Sequence, residues 1–223
     1  MCGRYNLVPT ENIANRFQAD VQQLTLQPRY NVAPSQTMPV VVRNSPNRIV
    51  EMQWGLIPSW SKEPQAKFST INARAETLTT SPVFRGPFKS RRCLVPASGF
   101  YEWRQTSQGK QPYCIQLDDG ELFAFAGLYD IWRDADGNEL YTYTIITTAP
   151  NDLVAPIHNR MPVVLPESEW GRWLDPTYND VDALEQLLVP APKEDFELWP
   201  IGTLVNKADN DGPELLDPVE VAS

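Results

Sequence analysis

Histidine and cysteine are scarce in this chain of 223 residues, which has one histidine, His158, and three cysteines, Cys2, Cys93 and Cys114. An odd number of cysteines without a Cys-x-x-Cys spacing argues against a disulfide framework and against a zinc site. We therefore expect neither a metal ion nor another cofactor. Cys93 and Cys114 lie in apolar, strand-like segments, and this context predicts that both are packed in the core.

Long apolar runs are lacking as well. The first thirty residues carry Arg4, Glu11, Arg16 and Asp20 and no sustained hydrophobic stretch. A secretory signal or a membrane-spanning segment needs such a stretch, so the sequence shows neither. A cytoplasmic protein with no membrane partner is the expectation.

Positive charge is unevenly distributed along the chain. Residues 1–110 contain 14 Lys and Arg against 6 Asp and Glu, whereas residues 111–223 contain 5 against 22, within a net charge of −9. A basic first half can offer a local surface to phosphate groups although the whole chain is acidic. The alternative is solvated surface charge, which is how we interpret the acidic stretch 209–220.

Proline is abundant, with 21 residues spread from Pro9 to Pro218, which disfavours long helices. The sequence patterns predict an α+β fold built on antiparallel β-sheet with a few short helices. The predicted strands are Met38–Val42, Ile49–Leu56, Ser69–Ala75, Phe100–Arg104, Tyr113–Leu117, Leu122–Leu128, Tyr141–Thr148, Pro162–Leu165 and Leu198–Ile201. The predicted helices are Thr10–Ala19, Glu167–Trp173 and Val181–Leu188.

The most informative stretch is Met1-Cys2-Gly3-Arg4. Removal of Met1 would leave an α-amine and a thiol on Cys2, with reference pKa values of about 7.7–8.0 and about 8.5. The amine can attack an aldehyde to form an imine, and the thiol can then close on the same carbon to form a five-membered thiazolidine. The alternative is an initiator methionine followed by an ordinary small hydrophobic residue.

Polar residues alternate in the segment Ile71-Asn72-Ala73-Arg74-Ala75-Glu76. The period of two of a β-strand would place Asn72, Arg74 and Glu76 on one face, away from the core. This row indicates a functional surface. The alternative is a solvated strand face on which Arg74 and Glu76 pair with each other.

Two further residues are candidates for proton transfer. Glu102 follows Phe100 and Tyr101 and precedes Trp103, and apolar surroundings would raise its pKa toward the range of a general acid. The alternative is an exposed glutamate paired with Arg104. His158, in Ile157-His158-Asn159-Arg160, is either a proton-transfer group or a hydrogen-bonded structural histidine.

Six motifs in this order and spacing resemble those of the SOS-response-associated peptidase family, and the likeness extends to the segment Gly212–Pro218. The motifs are Met1–Tyr5, Tyr30–Pro34, Trp54–Trp60, Ile71–Thr77, Gly99–Trp103 and Ile157–Pro162. The resemblance implies one domain over residues 2–223, mainly antiparallel β-sheet that is partly barrel-like. It also implies a monomer.

This family resemblance implies repair of abasic sites in single-stranded DNA, the expected partner, by a covalent crosslink that shields the lesion. It assigns the crosslink to Cys2 and matches Asn72, Glu102 and His158 to the other active-site positions. Reversal of the crosslink, a lyase-type reaction, and removal of Met1 by the protein itself are further activities that it implies. In a bacterium, the protein would associate with the nucleoid at sites of damage.

The resemblance also assigns the DNA contacts. Phosphate contacts are expected from Arg4, Arg74 and Arg160, base stacking from Trp60 and a minor contact from Thr147. Two positions depart from the family pattern: Ser61 stands where some relatives have a second tryptophan, and Pro82 where a basic residue may be found. We therefore expect weaker DNA binding or a differently shaped DNA-binding surface, and Arg85 could compensate for the loss.

Three other function classes stay open at this point. Met-Cys-Gly also opens the class II glutamine amidotransferases, which would hydrolyse glutamine. A thiol peptidase that cleaves its own Met1–Cys2 bond would retain Met1 when its active site is mutated. A non-catalytic binder of single-stranded or modified DNA would bind reversibly without Cys2.

Overall fold

The computed structural model describes residues 2–8, 13–20, 26–44, 46–64 and 70–221. The strands are β1 (Tyr5–Leu7), β2 (Ala19–Asp20), β3 (Arg29–Val32), β4 (Thr37–Val42), β5 (Asn47–Trp54), β6 (Asn72–Arg74), β7 (Arg92–Ala97), β8 (Gly99–Thr106), β9 (Gly109–Leu117), β10 (Phe123–Arg133), β11 (Glu139–Thr148), β12 (Met161–Pro162), β13 (Val164–Leu165) and β14 (Phe196–Pro200). The α-helices are α1 (Ile13–Arg16), α2 (Arg85–Ser90), α3 (Trp170–Leu174) and α4 (Val181–Glu185). Short 3₁₀ helices cover Ala75–Thr77, Glu167–Glu169, Lys193–Asp195, Thr203–Asn206 and Pro213–Leu216.

Five strands form a closed barrel. Antiparallel pairings connect β5 to β4, β4 to β7, β7 to β10 and β10 to β11, and a parallel pairing of β11 with β5 closes the ring. Large buried side chains such as Trp54, Phe125 and Tyr143 contribute to the core, and Trp54 stacks on Tyr143 with ring centroids 6.3 Å apart. Closure leaves these strands without a free edge over the paired residues.

A second, antiparallel sheet packs against the barrel in the order β14, β9, β8, β1 and β3. Tyr5 of β1 joins the two sheets, since its ring packs edge-on against Trp54 at 5.2 Å and its hydroxyl lies 2.8 Å from that of Tyr143. All three rings are buried, so this contact fixes where β1 begins. The chain before Tyr5 therefore runs along the junction between the sheets.

The structure confirms the predicted fold class, a mainly antiparallel and mixed sheet with a closed barrel and short helices. The nine predicted strands lie at or near observed ones, although Pro162–Leu165 divides into β12 and β13. The sequence patterns missed β1, β2, β3, β7 and α2. In β7 the missed signal is Arg92, a charged residue that is nevertheless buried because its guanidinium donates to carbonyl oxygens including those of Trp173 and Phe88, at 2.7 and 2.8 Å.

Several predicted elements extend beyond the observed ones, and helix Val181–Leu188, for example, is observed only as α4. Strand Ser69–Ala75 is observed only as β6, because Ala75 begins a 3₁₀ helix, and Ser69 lies outside the described residues. Glu76 is therefore not on a strand face with Asn72 and Arg74. Helix Thr10–Ala19 is observed only as α1, and residues 10–12 lie outside the described part of the chain.

No helix among the described residues is long and apolar enough to cross a membrane. Cys93 and Cys114 are free and fully buried, which confirms the prediction that they are core residues. Cys2 is buried as well, and the side chain of Asn72 donates to its carbonyl oxygen.

Candidate active site at the N-terminal cysteine

The register of β1 and β8 places Cys2 next to Glu102. Tyr5 pairs with Phe100, and the backbone N–H of Tyr101 donates to the Arg4 carbonyl at 3.0 Å. Cys2 is fully buried, and its thiol lies 3.7 Å from the Arg4 carbonyl oxygen. Burial raises the pKa of the thiol well above its usual range, and the Glu102 charge raises it further. The resting thiol is therefore protonated at neutral pH.

Asn72 holds the backbone of Cys2 from the other side. It lies on β6, whose parallel pairing with β11 places it opposite Ile145. Its side-chain Nδ2 donates to the Cys2 carbonyl at 2.8 Å, while its buried Oδ1 accepts no hydrogen bond from any described residue. This free acceptor faces a buried environment, where an unsatisfied polar atom is costly unless a ligand can use it.

Glu102 is a buried carboxyl on β8, opposite Tyr113 of β9, with only 2% of its surface exposed. Burial raises its pKa to about 7, because the charged form loses hydration. The predicted apolar setting is confirmed, and the alternative of an exposed glutamate paired with Arg104 is wrong. A carboxyl with such a pKa can donate a proton near neutral pH.

His158 lies in a turn after β11, where its backbone N–H donates to the Val154 carbonyl at 3.0 Å. Its ring Nδ1 lies 3.1 Å from both the backbone N–H and the backbone carbonyl oxygen of Arg160, so it accepts from the N–H or donates to the carbonyl according to the tautomer. Partial burial lowers the pKa of the imidazole. His158 is therefore suited to the neutral form, which can accept a proton.

Glu102 and His158 line one cavity of about 370 Å³ together with Trp103, Lys110 and Asn206. Trp103 Nε1 donates to Asn206 Oδ1 at 2.7 Å, which ties the 3₁₀ helix Thr203–Asn206 to β8. The structure thus brings a buried thiol, a carboxyl with a raised pKa and a neutral imidazole to one place. Such a set can supply a nucleophile, an acid and a base.

Two of the predicted DNA-contact residues are accessible. Trp60 is 65% exposed, on a turn held by the Ser59 N–H donating to Asp130 Oδ2 at 3.0 Å and by Trp132 Nε1 donating to the Ser61 carbonyl at 2.8 Å. A large exposed ring on an anchored turn suits base stacking. Arg74 at the end of β6 is exposed and forms no ion pair with the described residues.

Arg160 is paired inside the protein. Its guanidinium donates to both carboxylate oxygens of Glu76, at 2.6 and 3.0 Å, and to the Thr147 carbonyl at 2.6 Å. The alternative pairing of Arg74 with Glu76 is thus wrong, because Glu76 pairs with Arg160. Part of the Arg160 charge is neutralised before any DNA arrives.

Arg4 and Thr147 are less accessible than a simple DNA-contact role requires. Arg4 donates to the Asn31 side chain at 2.9 Å and to the Val205 carbonyl at 2.7 Å, contacts that hold the C-terminal segment against β1. Burial lowers the pKa of its guanidinium. Thr147 is fully buried on β11. A direct contact of either residue with DNA stays a prediction.

Lys110 and Asn206 were not among the predicted site residues, and Trp103 was quoted only as part of a motif. Lys110 follows Gly109, whose φ of +120° marks the tight turn between β8 and β9. The hairpin brings Lys110 back along β8 toward Glu102, and this turn was the one local signal for it. Asn206 is far away in sequence, and no local signal pointed to it.

Within the described residues, no group of three or more His, Cys, Asp or Glu side chains could hold a metal ion.

Comparison with known proteins places this geometry in a family. Residues 1–208 match the family model described as SOS response associated peptidase (SRAP). The chain is 44% identical over 222 residues to the abasic site processing protein YoqW of Bacillus subtilis, covering 97% of this chain and 99% of that protein. It is 36% identical over 228 residues to the abasic site processing protein HMCES of Gallus gallus, covering 87% of this chain and 67% of that protein.

The fold is shared with a solved structure as well. A crystal structure of a protein from Bacteroides thetaiotaomicron superposes with a TM-score of 0.88 at 30% identity, covering 98% of this chain and all of that one. The family model matches nearly the whole chain, and the curated relatives align over most of it. The chain therefore belongs to the SOS response associated peptidase (SRAP) family.

Proposed function

We propose that this protein processes abasic sites in single-stranded DNA by forming a covalent crosslink through Cys2. The observation that carries the proposal is the convergence of Cys2, Asn72, Glu102 and His158 around one site, with Glu102 and His158 on the wall of the same cavity. The relatives named abasic site processing proteins support the choice of substrate. An abasic sugar in its ring-opened form presents the aldehyde that an N-terminal cysteine traps.

The proposed reaction begins after removal of Met1. The Cys2 amine attacks the aldehyde carbon, and Glu102 donates the proton with which the hydroxyl leaves as water, giving an imine. The Cys2 sulfur then adds to the imine carbon, the thiol proton passes to the imine nitrogen, and a thiazolidine results. The balance is one amine, one thiol and one aldehyde in, one thiazolidine and one water out.

His158 is the proposed proton carrier for ring closure. The Cys2 thiol is protonated at rest because it is buried, so its proton must move as the sulfur adds to the imine. A neutral imidazole beside Glu102 can take that proton and return it to nitrogen. Since each elementary step is reversible, the same residue would also serve reversal.

Closure to the thiazolidine would protect the strand. An imine at the sugar carbon withdraws electrons and acidifies the neighbouring C–H bond, which favours elimination of the 3′ phosphate. The saturated thiazolidine has no such electron sink. The thiol therefore turns a reaction that would cut the strand into one that shields it.

The proposed DNA path runs past Arg74, Arg160 and Trp60. Arg74 is exposed without an ion-pair partner among the described residues, and Trp60 is the most exposed large hydrophobic side chain among them. Cations at phosphates and a ring for stacking are the usual contacts of unpaired strands. The protein would act as a monomer, with the effect of Ser61 and Pro82 on affinity open to measurement.

Removal of Met1 by the protein itself is a second candidate activity, favoured by the family's description as a peptidase, by the position of Glu102 near Cys2 and by the cavity that Glu102 shares with His158. Intact mass of purified Glu102→Gln protein tests it. Retained Met1 in Glu102→Gln but not in the wild type supports self-cleavage. Removal of Met1 from both proteins assigns the step to a cellular aminopeptidase.

The experiment for the proposed function is the intact mass of the wild-type protein before and after mixing with an abasic single-stranded oligonucleotide. We expect loss of Met1, then an adduct equal to protein plus oligonucleotide minus one water. An oligonucleotide with a tetrahydrofuran abasic analogue, which has no aldehyde, is the matched control and should give no adduct. Reversible binding without an adduct to either oligonucleotide would contradict the crosslink.

A further inference from the structure

Lys110 is a cation on the wall of the proposed active site to which no role has yet been assigned. It lies on β9 and lines the same cavity of about 370 Å³ as Glu102 and His158. It is exposed, and it forms no ion pair with any described residue. A charge without a protein partner at the mouth of a cavity is available to a ligand.

Asn206 adds a hydrogen-bond donor beside this cation. Its Oδ1 is occupied by Trp103 Nε1 at 2.7 Å, and its backbone carbonyl accepts from Arg4 Nη2 at 3.3 Å. The residue is thus held at two points, and its remaining side-chain group is the Nδ2 amide, which can only donate. Among the described residues, none accepts a hydrogen bond from this group.

We propose that Lys110 and Asn206 form a subsite for a DNA phosphate that flanks the abasic sugar. An ammonium group and an amide donor on the wall of one cavity match phosphate oxygens. The inference rests on the proposed function for the identity of the sugar. It goes further by assigning a phosphate contact to a part of the fold that the resemblance left without one.

The position of the subsite follows from the two sheets. Arg74 lies on β6 and Arg160 just before β12, strands that pair with β11 of the barrel, whereas Lys110 lies on β9 of the second sheet. In a DNA strand each sugar is bonded to one phosphate on each side. A sugar seated between the sheets at Cys2 therefore directs one phosphate toward the arginines and the other toward Lys110.

Glu102 does not oppose an anion at this place as strongly as an ordinary carboxylate would. Its pKa of about 7 leaves a large fraction neutral near neutral pH. Burial is the main cause of the lowered pKa of His158, and the positive charge of Lys110 on the same cavity wall lowers that pKa further. A phosphate at Lys110 would offset that effect.

The test compares Lys110→Gln with Lys89→Gln, a matched change at an exposed lysine on α2 outside this cavity. Both are made in a Cys2→Ala background, and the abasic residue of each probe is the tetrahydrofuran analogue, which has no aldehyde for the remaining amine, so that only reversible binding is measured. The probes are three short single strands, with the abasic residue internal, at the 3′ end without a terminal phosphate, and at the 5′ end without one. Affinity is measured across a series of salt concentrations.

We expect Lys110→Gln to weaken binding of the internal probe and to reduce the salt slope by about 0.7, the value for one phosphate of a single strand. The effect should vanish with one of the two end probes, which also identifies the strand polarity. Lys89→Gln should change neither quantity. Equal behaviour of the two variants with all three probes would overturn the subsite.

A second readout uses the single histidine of the chain, whose imidazole NMR signals need no assignment by mutagenesis. Lys110→Gln should raise the pKa of His158, because a nearby positive charge is lost, whereas Lys89→Gln should not. If inorganic phosphate shifts His158 through Lys110 but no oligonucleotide depends on Lys110, the assignment to DNA is overturned. Absence of an adduct in the wild type contradicts the proposed function instead, whatever Lys110 does.

Discussion

Two cavities on this protein differ in size and in chemistry. The larger, of about 470 Å³, is a groove between β9, β13 and α3 whose lining includes Trp170, Phe196 and Val189 and the acidic side chains of Asp118 and Asp119. The smaller, of about 370 Å³, is lined by Glu102, Trp103, Lys110, His158 and Asn206. Of the two, only the smaller is lined by an imidazole, and its carboxyl, Glu102, interacts with the nearby thiol of Cys2.

The difference shows that volume does not identify the site of chemistry here. The larger groove is lined by neither histidine nor cysteine, and its acidic rim would repel DNA phosphates. The smaller cavity combines a cation, an amide, a carboxyl and an imidazole. We therefore expect mutations to have their largest effects at Cys2 and their smallest effects in the larger groove.

The largest effect is expected at Cys2. Cys2→Ala should abolish the heat- and detergent-stable adduct with abasic single-stranded DNA, because only Cys2 can present both nucleophiles. Reversible binding should stay within a few fold. Cys114→Ala, at a buried core cysteine that does not line the cavity of Glu102 and His158, is the control and should still crosslink. A full yield of stable adduct with Cys2→Ala would remove the thiazolidine mechanism.

The next effect concerns the acid. Glu102→Gln should slow crosslinking by about 10²–10⁴, the usual contribution of general acid–base catalysis. With a pKa of about 7, Glu102 loses its proton as the pH rises through neutrality, so the wild-type rate should fall above about pH 7. Single-turnover rates from pH 5 to pH 9 test this. The same alkaline fall in Glu102→Gln would show that another group is the acid.

The buried carboxyl should also destabilise the fold at high pH. A carboxyl whose folded pKa is about 7, above an unfolded value near 4.5, binds more protons folded than unfolded between these pH values. Stability is therefore present below this window and is lost as the pH rises through it, by about 2–3 kcal/mol between pH 5 and pH 8. In thermal unfolding, Glu102→Gln should gain stability over the wild type at pH 8 relative to pH 5. A difference that is the same at both pH values would contradict the raised pKa.

Two variants on the proposed DNA path distinguish base stacking from phosphate contacts. Trp60→Ala should weaken binding by about 1–3 kcal/mol with little change in salt slope, as expected for a lost base–ring contact. Arg74→Ala should instead reduce the slope by about 0.7, since it removes one phosphate contact. Titrations of the Cys2→Ala protein at several salt concentrations measure both. Unchanged affinity in both variants would place the DNA elsewhere.

The smallest effect is expected in the larger groove. Val189 is 54% exposed there, and Val189→Asn should alter stability by no more than about 0.5 kcal/mol and leave DNA binding and crosslinking unchanged. The assays are those used for Trp60→Ala, which serves as the positive control. A loss comparable to that of Trp60→Ala would extend the DNA path across the groove and break the contrast between the two cavities.

Much of the sheet could be predicted because the alternation of apolar and polar residues and the presence of turn residues are local properties of the sequence. β10 and β11, for example, are long apolar strands separated by a turn with Gly137 at φ +85°. β7 and β1 could not be predicted in the same way. Arg92 is accepted in β7 only because carbonyls of α2 and α3 surround it, and Asn6 and Tyr5 are buried in β1 only because two sheets meet there.

In the candidate site, too, some features could be predicted from the sequence and others could not. The chemistry of an N-terminal cysteine after loss of Met1, the aromatic neighbours of Glu102 and the uniqueness of His158 are all readable from the sequence. Whether DNA can reach each predicted contact residue is not readable from the sequence. The ion pair of Arg160 with Glu76, the burial of Thr147 and the use of Arg4 to hold the C-terminal segment each depend on residues distant in sequence.

By itself the sequence determined the reactive groups, the order of the family motifs and the predominance of short strands, because these depend on residue type and on spacing between near neighbours. Tertiary structure alone decided which groups meet. The pairing of β1 with β8 brings Cys2 to Glu102, the parallel pairing of β6 with β11 brings Asn72 to the Cys2 carbonyl, and Trp103 holds Asn206 beside Lys110. The physical reason is burial: the pKa of Glu102 rises because the folded chain buries its carboxyl, and no local pattern specifies that burial.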